Sequence, residues 1–308
     1  MPHNPFDDPL FVPVFLRVVL LIVIGLAAVL LARRRSFKVL RRSTFFTRTR
    51  TWLWMGPLFL VCVYTGGFVA FVLATFVVIQ GLSEFVRMAG IGRRYALLLM
   101  LWSQVGLLVA ALARDYFLLL PFLFFVLLTL VPVMTGEVAD AHRQLGDTLF
   151  GYIWIGLPVA YIVFAKAAQP WGLSFLVIVT VSVAMSDIAA YAVGAALKGP
   201  KLIPSVNPTK TWTGALGNLL GAITGVVLLA IAIPDEWTVA GVAALVLTIA
   251  VGCVWGDVTE SFVKRTFQVE SSSTVLFGFG GILDRVDSLL MALPLSYYAL
   301  ILANRVLG

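Results

Sequence analysis

An all-α, polytopic transmembrane helical bundle of about nine to ten spans is what the sequence predicts, on three observations. First, of the 308 residues 61% are hydrophobic and 12% charged, with a mean hydropathy of +1.02. Soluble domains carry roughly 25% charged residues, so lipid must be the solvent for most of this chain. Second, the apolar runs do not alternate with polar residues. That favours helices, which satisfy their own backbone hydrogen bonds, over a membrane barrel. Third, lysines and arginines gather in particular loops. The net charge of +7 and the pI near 9.6 would suggest nucleic acid in a soluble protein. Here the charge is explained by topology, and no nucleic-acid partner is expected.

The spans follow from the stretches free of charge. These run from Val18 to Ala32, Thr51 to Ser83, Tyr95 to Ala113, Tyr116 to Gly136, Thr148 to Ala165, Ala167 to Ser186, Thr211 to Pro234, Trp237 to Gly256 and Ser288 to Asn304. The second stretch has 33 residues, well beyond the roughly 20 that cross a bilayer, and Thr65-Gly66-Gly67 marks a bend near its middle. Splitting it there gives ten spans. With that split, 18 of the 22 basic residues fall on one side, the expected cytoplasmic one, and both termini on the other. Arg17 lies within the first span and is expected to snorkel or pair. Asp7 and Asp8 precede that span and Arg33-Arg34-Arg35 follows it, the pattern of a retained anchor and not of a cleaved signal peptide.

The chain is expected to form one integral domain with two parts: a scaffold over 1–165 and a catalytic half over 166–308, with motif loops at 198–213 and 256–287. In the first part the charges are expected in loops and the spans to be aliphatic and aromatic packing. His3 and His142 lack ligand spacing, and Cys62 and Cys253, both inside spans, read as packing residues.

The second part differs in kind. Asp187 interrupts an apolar run, and a carboxylate at that depth is costly unless paired. It is either a functional group or a structural partner for a lysine of the next loop. That loop, Lys198 to Gly214, combines Lys198, Lys201 and Lys210 with three prolines, Asn207 and the hydroxyls of Ser205, Thr209 and Thr211. It can surround phosphate oxygens with donors, or simply attract anionic headgroups as any basic loop would. It is not a Walker A loop, because the glycines before the lysine are missing. Gly217, Gly221 and Gly225 follow at four-residue spacing, a face for close helix packing that would also allow a homodimer.

Asp257, Glu260, Ser261 and Lys264 are spaced to share one face of a helix. Two carboxylates and a lysine at a membrane boundary form either a metal site or a ladder of salt bridges. Gly278-Phe279-Gly280-Gly281 then leads to Asp284, Arg285 and Asp287 at a helix start. Oxygen-only carboxylate clusters suit Mg²⁺, which in turn bridges to substrate phosphates. Carboxylates to hold cations and basic groups to meet phosphate are what nucleotidyl or phosphoryl transfer requires.

These motifs resemble those of the phosphatidate cytidylyltransferases, the CDP-diacylglycerol synthases. The resemblance rests on Ser261-x-x-Lys264-Arg265, on Gly278-x-Gly280-Gly281-Ile-Leu-Asp284-Arg285-x-Asp287-Ser288, on Lys201-Leu-x-Pro204-x-x-x-Pro208-x-Lys210-Thr211-Trp212-x-Gly214, on Gly256-Asp257-x-Thr259-Glu260-Ser261, and on Asp187 with Ala190-Tyr191. It implies a Mg²⁺-dependent reaction of CTP with phosphatidic acid or a related lipid phosphate, giving CDP-diacylglycerol and pyrophosphate in phospholipid biosynthesis. By that resemblance Asp257, Lys264, Arg265, Asp284 and Asp287 are the expected catalytic residues. Lys201, Ser205, Asn207, Lys210, Thr211 and Arg285 are expected to bind substrate, and Asp257, Glu260, Asp284 and Asp287 to hold metal, with Asp187 a further candidate. In a bacterial cell the expected place is the plasma (inner) membrane, with the motif loops cytoplasmic where CTP is available. The chain departs from the family pattern at Glu270-Ser271, where a Lys-Asp pair is usual, and at Phe279, where a histidine is common. Those departures leave a non-catalytic or altered-specificity paralogue as the alternative, and intramembrane Asp187 leaves a transporter as a lesser one.

Overall fold

The computed structural model describes residues 4–33, 44–136, 138–269 and 281–306. Ten helices account for nearly all of them: α1 (Phe11–Arg33), α2 (Thr44–Thr65), α3 (Gly67–Ala89), α4 (Arg93–Leu112), α5 (Leu120–Thr135), α6 (Ala141–Ala168), α7 (Gly172–Leu197), α8 (Trp212–Leu228), α9 (Val239–Thr266) and α10 (Leu283–Val306). Among the described residues, seven stretches are long and apolar enough to cross a membrane, and three shorter apolar segments lie in α1, α2 and α8. Each expected span has its helix, and the fold is an all-α integral membrane bundle.

The bend inside the 33-residue apolar run falls where the sequence puts it. α2 ends at Thr65, and Gly66 takes φ 135° and ψ 175° before α3 begins. Only glycine visits that region without strain, so this residue ends one helix and lets the next start. The helix of the sixth span begins earlier than expected, at Ala141, and carries one wide turn at Tyr152–Gly156.

The expected loop after α7 is in part a hairpin. Strand β1 (Lys201–Ile203) pairs antiparallel with β2 (Asn207–Thr211), Lys201 opposite Thr211 and Ile203 opposite Asn207. Pro204 sits in the turn between the strands, and Pro208 lies in β2, an edge strand, where a missing N–H costs little.

Glycine spacing sets the closest contacts. A Cβ on Gly217, Gly221 or Gly225 would lie 2.7, 2.4 or 2.5 Å from backbone atoms of Ala189, Met185 and Ser182 on α7. The glycine face of α8 is therefore filled by α7 and is not available to a second copy of the chain. On α9, Gly252 and Gly256 meet the α10 backbone at Ala292 and Asp287 in the same way. The far ends of this second pair are tied by Asn304, whose Oδ1 accepts from Thr238 N and Oγ1 at 3.1 and 2.9 Å.

α6 joins the two parts, packing against α3 and α4 on one side and α7 and α10 on the other. Its contacts with the scaffold are aromatic. Tyr152 meets Phe124 edge-on at 5.0 Å and Trp154 meets Phe85 at 6.0 Å. Cys253 is buried in α9 and Cys62 partly buried in α2, both as free thiols.

Candidate active site

The two close helix pairs bring the charged motifs together. α9 runs four turns past the middle of its span without interruption, so Asp257, Glu260, Ser261 and Lys264 do share a face, and that face meets the start of α10. Lys264 Nζ lies 2.7 Å from Glu260 Oε1 and 2.8 Å from Asp284 Oδ1, bridging the two helices. Asp287 is 5% exposed and within electrostatic reach of Asp257, Glu260 and Lys210. Gly256 makes that approach possible, since a Cβ there would stand 2.4 Å from the Asp287 carbonyl oxygen.

The hairpin closes the site from the other direction. Lys210, on β2, forms an ion pair with Asp257 Oδ2. Burial pulls the Lys210 ammonium towards neutrality, but the carboxylate of Asp257, with further contributions from Asp187 and Asp287, outweighs it, so its pKa lies above the ordinary lysine value. Asn207 Nδ2 donates to Ser261 Oγ at 2.8 Å, and Arg265 Nε donates to the Val206 carbonyl oxygen. Both contacts fasten the hairpin to α9. Thr211 is the N-cap of α8, its Oγ1 accepting from Gly214 N at 3.1 Å.

Between α7, the hairpin and α8 lies a cavity of about 570 Å³. Lys198, Lys201 and Lys210 line it together with Thr209, Thr211, Tyr191, Asn218, Asp187 and Asp257. This volume is within the roughly 300–1,000 Å³ of small-molecule sites. Asp187 is linked onward to α10, accepting from Ser288 Oγ at 3.2 Å.

Most of the expected residues therefore converge, in two adjoining groups. Lys201, Lys210, Thr211, Asp187 and Asp257 surround the cavity, while Glu260, Lys264, Asp284 and Asp287 form the cluster beside it. Arg285 is in the first turn of α10, partly buried next to Asp284. Ser205, expected to bind substrate, is exposed in the hairpin turn and does not line the cavity. Asn207 and Arg265 engage the protein itself at the hairpin. Glu270, Ser271 and Phe279, the departures from the family pattern, lie outside the described residues, as do Gly278 and Gly280.

Five carboxyl groups, of Asp187, Asp257, Glu260, Asp284 and Asp287, offer the hard oxygen donors that suit a divalent cation, and Lys198, Lys201, Lys210, Lys264 and Arg285 stand among them. Among the described residues no three carboxyl, thiol or imidazole groups converge in a metal-holding geometry. Instead the lysines sit between the acids, Lys264 occupying the point between Glu260 and Asp284.

Two residues escaped the sequence reading. Asn218 is buried in α8, accepts from Ser186 Oγ at 2.9 Å and lines the cavity; it is the one carboxamide among the apolar residues of its span. Glu84 corrects the expectation that the first part keeps its charges in loops. It lies within α3 at 0% exposure, and accepts from the backbone N–H groups of Ile282 and Leu283 at the start of α10. A carboxylate closing the long apolar run at Ser83 was the only signal for it.

The family model of the cytidylyltransferase family matches residues 46–303. A phosphatidate cytidylyltransferase of Brucella melitensis is 40% identical over 149 residues, which cover 48% of this chain and 54% of the relative. One of Bacillus subtilis is 30% identical over 180 residues, 58% of this chain and 67% of the relative. One of Haemophilus influenzae is 40% identical over 135 residues, 41% and 46%. The chain thus spans about half the length of the Brucella and Haemophilus relatives that it matches.

Proposed function

The chain belongs to the cytidylyltransferase family, and from that premise we propose that it transfers the cytidylyl group of CTP to phosphatidic acid or a related lipid phosphate, releasing pyrophosphate. The observation that carries this reading is Lys210 standing in a 570 Å³ cavity, already paired with Asp257, beside the second lysine that bridges Glu260 and Asp284. Cationic donors and carboxylates on the wall of one cavity are the arrangement a triphosphate needs.

The nucleophile needs little help from a base. A phosphate monoester with a second pKa of about 6 is largely a dianion at neutral pH. One of its oxygens attacks the α-phosphorus of CTP in line, the new P–O bond forming as the bond to the bridging oxygen of the β-phosphate breaks. The electron pair leaves with pyrophosphate, and no covalent enzyme intermediate is required. Lys210, Lys201 and Lys198 meet the phosphates from the hairpin side, and Thr209 and Thr211 offer hydroxyls. Lys264 neutralises from the α10 side. Catalysis is then positioning plus charge neutralisation. Mg²⁺, held by Asp257, Glu260, Asp284 and Asp287, would neutralise charge on the transferred and departing phosphates.

The expected sidedness agrees with this reading, since the hairpin and the α9–α10 boundary share the side rich in basic residues, where CTP is found. The lipid phosphate reaches the site sideways from the leaflet. In a bacterium the membrane is the plasma membrane.

The test is incubation of the detergent-purified protein with α-labelled CTP, phosphatidic acid and Mg²⁺. Label in a lipid product, with one pyrophosphate released per labelled lipid, is the expected result. A folded protein that gives no labelled lipid with any of several lipid phosphates would refute the proposal. Ion or solute flux into liposomes without CTP would favour a transporter.

A further inference from the structure

The two ends of the segment between α9 and α10 are both held by neighbouring residues of α3. Glu84 is fully buried, and its two oxygens take separate donors: Oε1 accepts from Ile282 N and Oε2 from Leu283 N, each at 3.0 Å. The next residue, Phe85, also fully buried, packs edge-on against Phe267 at 6.2 Å, where α9 ends. A helix start leaves its first N–H groups without intrahelical partners and carries partial positive charge, so a carboxylate accepting two of them is held firmly and holds the helix in return. Gln80 Nε2, one turn earlier on α3, reaches Glu84 Oε1 at 3.3 Å and steadies its orientation.

We propose that Glu84 is a positioning residue for nucleotidyl transfer: its carboxylate fixes the start of α10, and with it the placement of Asp284 and Asp287 against Asp257, Glu260 and Lys264. The proposal rests on the reading of the site given above. Asp284 follows Leu283 directly, and Asp287 is one turn further, so both inherit the position of the anchored amides. Asp284 is doubly tied, since its Oδ2 accepts from Gly281 N at 3.1 Å while its Oδ1 meets Lys264. A shift of the first turn of α10 by one ångström would separate that contact, now at 2.8 Å, and a misplacement of that size can cost about 10²-fold in rate. The N-terminal part thus holds the start of α10 through two backbone hydrogen bonds.

The experiment compares the full-length protein with Glu84→Gln and Glu84→Asp in detergent, reading three quantities: hydrogen exchange at Ile282 and Leu283, kinetic constants for CTP with phosphatidic acid and Mg²⁺, and the melting temperature. The glutamine offers one acceptor oxygen and turns an NH₂ towards the other backbone donor. Expected for Glu84→Gln are exchange at least about tenfold faster at those two amides and a kcat at least about tenfold lower. KM for CTP is expected within about threefold and the β-hairpin's exchange unchanged. Glu84→Asp keeps the charge on a shorter arm and is expected to fall between. Wild-type exchange and wild-type kcat in Glu84→Gln would overturn the proposal, as would a kcat that falls only in step with the melting temperature. If Glu84→Gln does not accumulate as folded protein, the aspartate variant decides by the same two readouts. An unmutated protein without turnover would sink the proposed function, and the exchange comparison would still decide whether Glu84 anchors α10.

Discussion

The helices of the first part meet through large side chains, whereas those of the second meet through glycine. Around α3 to α6 the contacts are rings: Trp102 stacks on Phe124 at 5.5 Å, and Phe85, Phe124 and Tyr152 are wholly buried. Between α7 and α8, and between α9 and α10, a Cβ added to Gly221, Gly252 or Gly256 would stand 2.4 to 2.6 Å from the neighbouring backbone. The difference teaches why the chemistry lies where it does. Carboxylates and lysines of different helices can touch only if their backbones approach closely, and glycine permits that approach. Bulky interdigitation gives a stable wall but holds backbones too far apart for short charged groups to meet.

Four changes test this comparison, and the largest effect belongs to Asp287. Asp287→Asn removes a buried charge without changing shape, and turnover is expected to fall by about 10²–10³, as for loss of a group acting on transition-state charge. Its melting temperature should not fall, because Asp287 and Asp257 are like charges in reach of one another. A parallel fall in stability would show that the carboxylate is structural.

Next comes Lys210→Met, which removes the cation on the cavity wall. A hydrogen bond to a charged group contributes about 1.5–3 kcal/mol, so CTP binding by calorimetry should weaken roughly 10- to 100-fold. Unaltered affinity would move the triphosphate away from the hairpin.

Smaller in effect, and aimed at the packing contrast itself, is a pair of glycine substitutions. Gly256→Ala puts a methyl against the α10 backbone and should cost about 1–3 kcal/mol by overpacking, with loss of turnover. Gly67→Ala, where nothing lies within 4 Å, should be neutral or stabilise by about 0.4–1 kcal/mol. Equal effects at both positions, read by thermal unfolding, would end the distinction between the two halves.

The smallest effect is with pH. Lys210 is held above the ordinary lysine value by Asp257. A cation stabilised in this way stays charged at every pH below its unfolded pKa of about 10.4 and loses its charge only as pH rises through the higher folded value. CTP binding should therefore show no decline from Lys210 between pH 7 and 9. A decline in that range which Lys210→Met abolishes would contradict the assigned ion pair.

Much of the site was legible because its geometry is local. Asp257, Glu260 and Lys264 share a face by helical spacing alone, the bend at Gly66 follows from an apolar run too long for one span, and Gly217, Gly221 and Gly225 announce a close neighbour. What the spacing could not say was which neighbour: the same stripe fits a second copy as well as α7. Glu84 was beyond reach because its partners are backbone amides 198 and 199 residues away, a type of donor that no side-chain pattern reports. The tie between Asn207 and Ser261 is hidden for a similar reason, since it depends on how a hairpin folds back over a helix.

The central claim, that nucleotide binds in the glycine-packed part against Lys210 and Asp257, is tested most directly by photo-crosslinking. A photoreactive CTP analogue would be irradiated on the purified protein with Mg²⁺, and the attachment points mapped by mass spectrometry with and without excess CTP. The account predicts CTP-protected label on peptides from 187–218 or 256–266. Protected label confined to α1–α6, or label that CTP does not displace, would contradict it.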